Sequence, residues 1–276
     1  MARPFDLRPS TFDPHTQAIF LAPHYDDVAL SCGGTVAAIA GEGGPPPLVV
    51  TVFGGEPEEQ ELTGFARWQH EQWGTAGTDT LATRRAEEAA AAALLGCDTR
   101  SLPYRDAIYR DAYYLSDATL FGTPHPDDAP LAARIAADVL GLPEVAGAAT
   151  PATLYVPLAI GEHVDHQLVL AAGRIVAGAP ERPWRVLAYE DFPYALLGNA
   201  LARRLAAVAG EVGPAEIVPV AGTLARRIGA IEAYRTQLPV IFRHFADWRA
   251  ALEGYARSLD GGNRLAERFW PVCARS

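Results

Sequence analysis

Short uninterrupted apolar runs alternate with small-residue or amphipathic stretches along most of this chain. AIFLA at 18–22 reads as a buried strand, because five successive apolar residues leave no face for solvent and the run is too short for a helix. LVVTVF at 48–53, ATLYVPLAI at 152–160 and WRVLAYED at 184–191 predict further strands, and SLPY, from 101, a short one. Helices are expected between them: ALSCGGTVAAIA at 29–40, with a Gly33-Gly34 pair suited to close packing, RRAEEAAAAALL at 84–95, stopped by Gly96, and a third near 165–177. The tail from about 223 reads as mainly helical. Buried strands alternating with helices indicate a parallel sheet covered on both faces. The expected fold is therefore α/β, a Rossmann-like parallel sheet in one domain spanning 1–276.

One stretch breaks the alternation. Residues 54–82 are too long and polar for an ordinary strand-to-helix connection, and they carry Phe65, Trp68 and Trp73 beside Arg67, His70 and Glu71. Two readings stay open: a loop that lays aromatic faces over a binding site, and a surface excursion pinned to the body by those aromatics.

Chemistry-bearing residues gather where two of the strands end. After the first strand, PHYDD supplies His24, Asp26 and Asp27; after the strand at 152–160, GEHVDH supplies His163, Asp165 and His166. In open α/β sheets, ligands bind beyond the carboxyl ends of the strands. Two histidines and a carboxylate can hold a catalytic zinc and leave a position for water, whose pKa the metal lowers. His24 and Asp27 are three apart at a turn entering a helix, and His163 and His166 are three apart on one helical face. Asp26 is then left to take a proton from the water. One histidine of the second pair would ligate; the other would protonate a leaving amine or stabilise an oxyanion, with Asp165 orienting an imidazole.

Each residue also has a plainer reading. Asp26 or Asp27 can cap the helix that follows. His163 and His166 can be surface histidines, although a protonated imidazole near a helix N-terminus opposes the helix dipole. HPDD at 125–128 looks like the first cluster but follows GTP, not an apolar strand, and reads as a surface turn without a metal role.

Composition narrows the classes. A net charge of −10 with 23 Lys and Arg, and no basic cluster interleaved with aromatics, argues against nucleic-acid binding. No apolar run approaches a membrane span, and MARPFDLRPSTFDPHTQ lacks the apolar core of a signal peptide. Cys32, Cys97 and Cys273 form no metal or disulfide pattern and read as reduced thiols, which fits a cytoplasmic protein.

APHYDDVALSCGG resembles the AHPDDE signature of the LmbE-like, or PIG-L, family of metal-dependent N-deacetylases, and IGEHVDH resembles that family's HxDH-type motif. RRAEEAAAAALLG and YEDFPY are similar to weaker family segments, so the likeness spans most of 18–240. The resemblance implies a zinc-dependent hydrolase acting on N-acetylglucosamine conjugates, small molecules built on an amino sugar. Carried over by motif position, His24, Asp27 and His166 become metal ligands, Asp26 the general base, and His163 the acid or oxyanion stabiliser. Arg84 becomes a weaker candidate for substrate contact, beside Trp68 and Trp73 of the long segment. Tyr25 stands where the family has proline and Val28 where it has glutamate, which removes a carboxylate near the metal. The same ligands accept iron(II), and His24-x-Asp26 with a distant histidine matches the donor set of a non-haem iron oxygenase. The strand–helix alternation opposes that rival. Retention of both Asp26 and His163 opposes a second, a non-catalytic sugar-binding protein.

Overall fold

The apolar runs become neighbouring strands of one eight-stranded sheet. The structure is a computed structural model that describes residues 8–9, 17–57, 62–76, 79–110, 113–146, 152–179 and 184–274. Its strands are β1 (Arg8–Pro9), β2 (Ala18–Ala22), β3 (Leu48–Thr51), β4 (Asp98–Ser101), β5 (Thr153–Pro157), β6 (Arg185–Tyr189), β7 (Glu216–Pro219) and β8 (Ala266–Pro271), in the order β1-β7-β8-β6-β5-β2-β3-β4. From β2 the chain moves outward through β3 and β4; from β5 it moves the other way to β6. The adjacent pair β2 and β5, in parallel register with Phe20 opposite Tyr155, is thus the point where strand order reverses. That is where open α/β sheets place their ligand crevice.

Successive residues of β2 point to opposite faces. Ile19 and Leu21 pack on the side of α5 (Leu131–Leu140) and α7 (Val164–Ala177), whereas Phe20 and Ala22 pack on the side of α1 (Asp27–Gly41), α3 (Thr80–Leu95) and α9 (Leu224–Ala233). Both faces are covered, as expected. Short α4 (Asp117–Leu120) precedes α5, short α6 (Pro143–Ala146) follows it, and α8 (Ala200–Ala207) leads to β7.

Three expectations are corrected. The sheet is mixed, because β8 runs antiparallel between β6 and β7. The tail is helical through α9, α10 (Leu238–Ile241) and α11 (Trp248–Ser258) but ends in β8. The 54–82 segment is not loop throughout: Thr63 accepts a hydrogen bond from the Ala66 N–H and starts α2 (Gly64–Gln72), and α3 already begins at Thr80. Phe65 and Trp73 pack against the cluster of Ala107, Ile108 and Tyr109, which pins α2 to the body.

Helix α1 bends at Cys32, whose φ of −145° and ψ of 24° are not helical. The Glu267 side chain on β8 closes the gap by accepting hydrogen bonds from the Gly34 and Thr35 N–H groups at 2.9 and 2.8 Å. Arg227 balances that buried carboxylate at 2.8 Å. A Cβ at Gly34 would lie 2.7 Å from the Glu267 oxygen, so only glycine fits here.

Candidate active site

The turn after β2 and the turn after β5 bring the two polar clusters together. The second turn is tight: Ala159, Gly161 and Glu162 all have positive φ, and Tyr194 fills the space where a Cβ at Gly161 would go. Backbone strain of this kind persists where surrounding structure enforces it. It delivers His163 to the N-cap position of α7 and His166 one turn later.

Asp27 lies at the centre. Its Oδ2 accepts the His24 backbone N–H at 2.7 Å and stands 3.4 Å from His24 Nδ1 and 3.4 Å from His166 Nε2. The outward nitrogen of each ring is engaged elsewhere. His24 Nε2 is 3.0 Å from Asp165 Oδ2, and His166 Nδ1 is 2.6 Å from Asp191 Oδ1. A carboxylate only accepts, so each ring donates there and turns its other nitrogen toward Asp27. Donors at about 2.0–2.1 Å from a tetrahedral zinc lie roughly 3.3–3.4 Å apart, which matches both distances to Asp27. His24, Asp27 and His166 fit a divalent metal, with their donor atoms all within 4.8 Å of one another. His24, His163 and Asp165 are equally close. Asp165, however, is fully buried and already accepts from the Ala107 N–H at 3.0 Å and from Arg110 at 2.6 Å, besides His24.

The electrostatics call for positive charge at the centre. Burial would lower the His24 imidazole, but Asp106, Asp165 and Asp27 outweigh it and hold it well above its ordinary range. Burial would raise Asp27, yet His166 and His24 hold it well below the usual carboxylate range. A proton and a divalent cation compete for this place.

Asp26 and His163 flank the trio. Asp26 occupies the N-cap position of α1 but makes no capping bond; its Oδ1 lies 3.6 Å from Arg84, and burial raises its pKa. His163 Nδ1 accepts the Asp165 N–H at 3.2 Å, so the neutral ring carries its proton on Nε2. Burial, then the neighbouring His24, lowers its pKa well below the ordinary value.

These groups form the floor of a cleft of about 450 Å³. Arg84 and Asp106 share the floor, 3.9 Å apart, and the buried Arg84 Nε has no hydrogen-bond partner. Trp73 and Trp68 are in the wall; Arg84 stacks over Trp73 at 5.0 Å, and Trp68, 41% exposed, stands at the rim. Phe65 and Trp73 pin the long segment to the body, and Trp68 lines the cleft.

Sequence reading missed Asp106, Asp191 and Arg110. It also misplaced two others. Val28 is buried with Tyr25, Val49 and Leu95 on the inner side of α1, so its replacement of glutamate changes core packing. HPDD is not simply a surface turn, because Asp128 is buried and accepts hydrogen bonds from Arg110 and Tyr114 at 3.1 and 2.6 Å.

A family model described as PIG-L, GlcNAc-PI de-N-acetylase, matches residues 19–177, which hold both motifs. The chain belongs to the PIG-L family. Membership places it among metal-dependent enzymes that hydrolyse the N-acetyl group of amino sugars. It is 33% identical over 64% of its length to a 2'-N-acetylparomamine deacetylase of Niallia circulans, of which the match spans 66%. It is 34% identical over 80% of its length to the enzyme of the same description from Streptomyces fradiae, of which the match spans 73%. Among solved structures, it resembles the A40926 pseudoaglycone deacetylase Dbv21 (27% identity, TM-score 0.76) and the zinc-inhibited form of the teicoplanin deacetylase Orf2 (25% identity, TM-score 0.79). Each match covers 95% of this chain and 99% of the other. The described residues form an α/β fold, whereas the chemistry of the oxygenase rival usually comes on an all-β fold.

Proposed function

We propose that the protein is a zinc-dependent hydrolase that removes an acetyl group from the amine of an amino sugar conjugate, with His24 Nδ1, Asp27 Oδ2 and His166 Nε2 as the metal ligands. The graded cleft carries this reading: carboxylates, imidazoles and Arg84 at the floor, apolar and aromatic side chains toward the rim. A divalent ion held there supplies Lewis acidity and lowers the pKa of water. Asp26, beside the trio, takes the proton of the attacking water. His163 donates a hydrogen bond from its Nε2–H to the developing oxyanion, and the proton taken by Asp26 passes on to the departing amine. Arg84 and Asp106 present a donor and an acceptor to the sugar hydroxyls.

The rest of the conjugate meets Trp68, Phe121, Leu197, Val240 and Phe245. Beyond the floor, Asp117 is the single carboxylate of the lining among the described residues, set against Arg243 and His244. An amine-rich conjugate would need more carboxylates, so the outer cleft favours a neutral or anionic conjugate with an apolar face. The reaction is set in the cytoplasm, in keeping with three unpaired cysteines, and in one catalytic domain. No helix among the described residues is long and apolar enough to cross a membrane.

The test is amine release from free N-acetylglucosamine, 2'-N-acetylparomamine and an N-acetylglucosaminyl glycopeptide pseudoaglycone, with metal content measured on the same sample. Chelator-sensitive release, fastest with the pseudoaglycone, is expected. Trp68→Ala should raise KM for the pseudoaglycone and leave the free sugar unchanged. Metal-loaded protein that releases amine from none of the three would overturn the function. Preference for the paromamine would overturn the reading of the outer cleft alone.

A further inference from the structure

Asp165 is the only carboxylate or imidazole of the two motifs with no exposed surface at all. Its Oδ2 takes the His24 Nε2–H and the Ala107 N–H, both at 3.0 Å. Its Oδ1 receives Arg110 NH1 at 2.6 Å. The same NH1 donates to the Arg105 carbonyl at 2.9 Å, and Arg110 Nε donates to Asp128 Oδ2 at 3.1 Å. Tyr114 donates to that Asp128 oxygen at 2.6 Å. The guanidinium is stacked as well as bonded, 5.0 Å from the Phe53 ring and 5.2 Å from the Tyr114 ring. Its side chain is 10% exposed, that of Asp128 7%.

A guanidinium is a flat, rigid fork whose donors have fixed directions. Here the fork joins two buried carboxylates, and one of them sets the ring of His24. We propose that Arg110, fastened by Asp128, is a positioning residue for the metal site. It fixes the orientation of the Asp165 carboxylate, which keeps the His24 proton on Nε2 and Nδ1 turned toward Asp27 and His166. This rests on the ligand set proposed above. Removing the guanidinium leaves Asp165 Oδ1 buried without a partner. The carboxylate then turns to find one, and His24 loses the bond that sets its tautomer and angle. The decoy motif HPDD thereby acquires a role: it supplies the far anchor of a chain that runs Asp128, Arg110, Asp165, His24.

The test compares Arg110→Met, Arg110→Lys and Asp128→Asn with the wild type. Zinc affinity is read by chelator competition, and thermal midpoints are read for metal-free and zinc-loaded protein. Loss of an outer partner of a metal-binding histidine weakens affinity roughly 10–100-fold, and that is expected for Arg110→Met. Asp128→Asn should lose less, in the same direction. Arg110→Lys, a point charge that reaches one carboxylate at a time, should recover part of the loss. Because ligand binding stabilises in proportion to affinity, the rise in midpoint on adding zinc should shrink in Arg110→Met and Asp128→Asn. Equal losses of midpoint with and without zinc, at unchanged zinc affinity, would make Arg110 a purely structural residue and overturn the proposal. If Arg110→Met does not fold, Asp128→Asn decides by the same two readouts. Wild-type protein that takes up no divalent metal would overturn the ligand set itself.

Discussion

His166 Nδ1 and Asp191 Oδ1 lie 2.6 Å apart, and this contact decides which face of the His166 ring is free. Asp191 is itself held by the Ile160 N–H on its other oxygen at 2.8 Å. In Asp191→Asn the amide oxygen can keep the Ile160 bond, which turns the amide NH2 toward His166. The ring must then accept at Nδ1 and carry its proton on Nε2, the nitrogen facing Asp27. The expected result is a 10–100-fold loss of metal affinity in a folded protein, measured by metal analysis and chelator competition. Wild-type affinity in this variant would remove Asp191 from the site.

The two neighbouring aspartates have different surroundings, and their variants should differ accordingly. Asp27 faces both imidazoles, so Asp27→Ala should lose the metal. Asp26 faces Arg84, so Asp26→Asn should retain metal and lose roughly 10²–10⁴ in kcat, the usual scale of general base catalysis. Metal content and turnover on the same preparations separate the two. Metal loss in Asp26→Asn with retention in Asp27→Ala would reverse the assignment.

His163→Ala should keep its metal and lose turnover, because the His163 Nδ1 is engaged by the Asp165 N–H and its other nitrogen carries the proton. A loss of about 10²–10³ in kcat with a nearly unchanged KM would match a donor used only in the transition state. If the metal leaves with His163, the second trio, His24 with His163 and Asp165, is the one that ligates.

Beneath the first motif, Tyr234 Oη lies 2.8 Å from Glu88 Oε2 and 2.8 Å from the Tyr25 carbonyl. A phenol has one proton to give, so both contacts are hydrogen bonds only when Glu88 is protonated. Burial agrees, pushing the Glu88 carboxyl up to about 8 from an ordinary 4.5. Below 4.5 the group is neutral in both folded and unfolded protein. Between 4.5 and 8 the folded state holds a proton that the unfolded state releases, so stability falls as pH rises. Glu88→Gln should abolish this contribution. Urea unfolding of both proteins in excess chelator should show the variant gaining on the wild type by on the order of 1 kcal/mol per pH unit across that window. A difference that stays flat from pH 5 to about pH 8 would show that Glu88 titrates normally in the fold.

The parts of the molecule that could be read in advance share a physical property: their apolar runs are unbroken. Strands β2, β3, β5 and β6 are nearly all buried, and the residues that follow β2 and β5 had to fall at the strand ends. Strand β8 escaped because AERFWP carries Glu267 and Arg268, polar residues satisfied by α1, Arg227 and Glu190. Asp191 was within reach, since it stands two residues past β6, at the same sheet edge as His24 and His163. Asp106 and Arg110 belong to no spacing pattern. Only the packing of Ala107 and its neighbours against α2 and α7 brings them beneath the second motif.

Among the described residues, the strand latest in the chain is the one that completes the sheet. Within those residues, β7 joins the body of the sheet only through β8, and Glu267 on β8 holds the bent helix that begins with Asp27. Pairings so distant in sequence form late, because the intervening chain must first be closed into a loop. A nascent chain halted before residue 266 therefore contains every proposed metal ligand, yet it lacks the strand that ties the helix of the first to the sheet. The helix that carries Asp27 is thus tied to the sheet by the last step of its assembly, the pairing of β8.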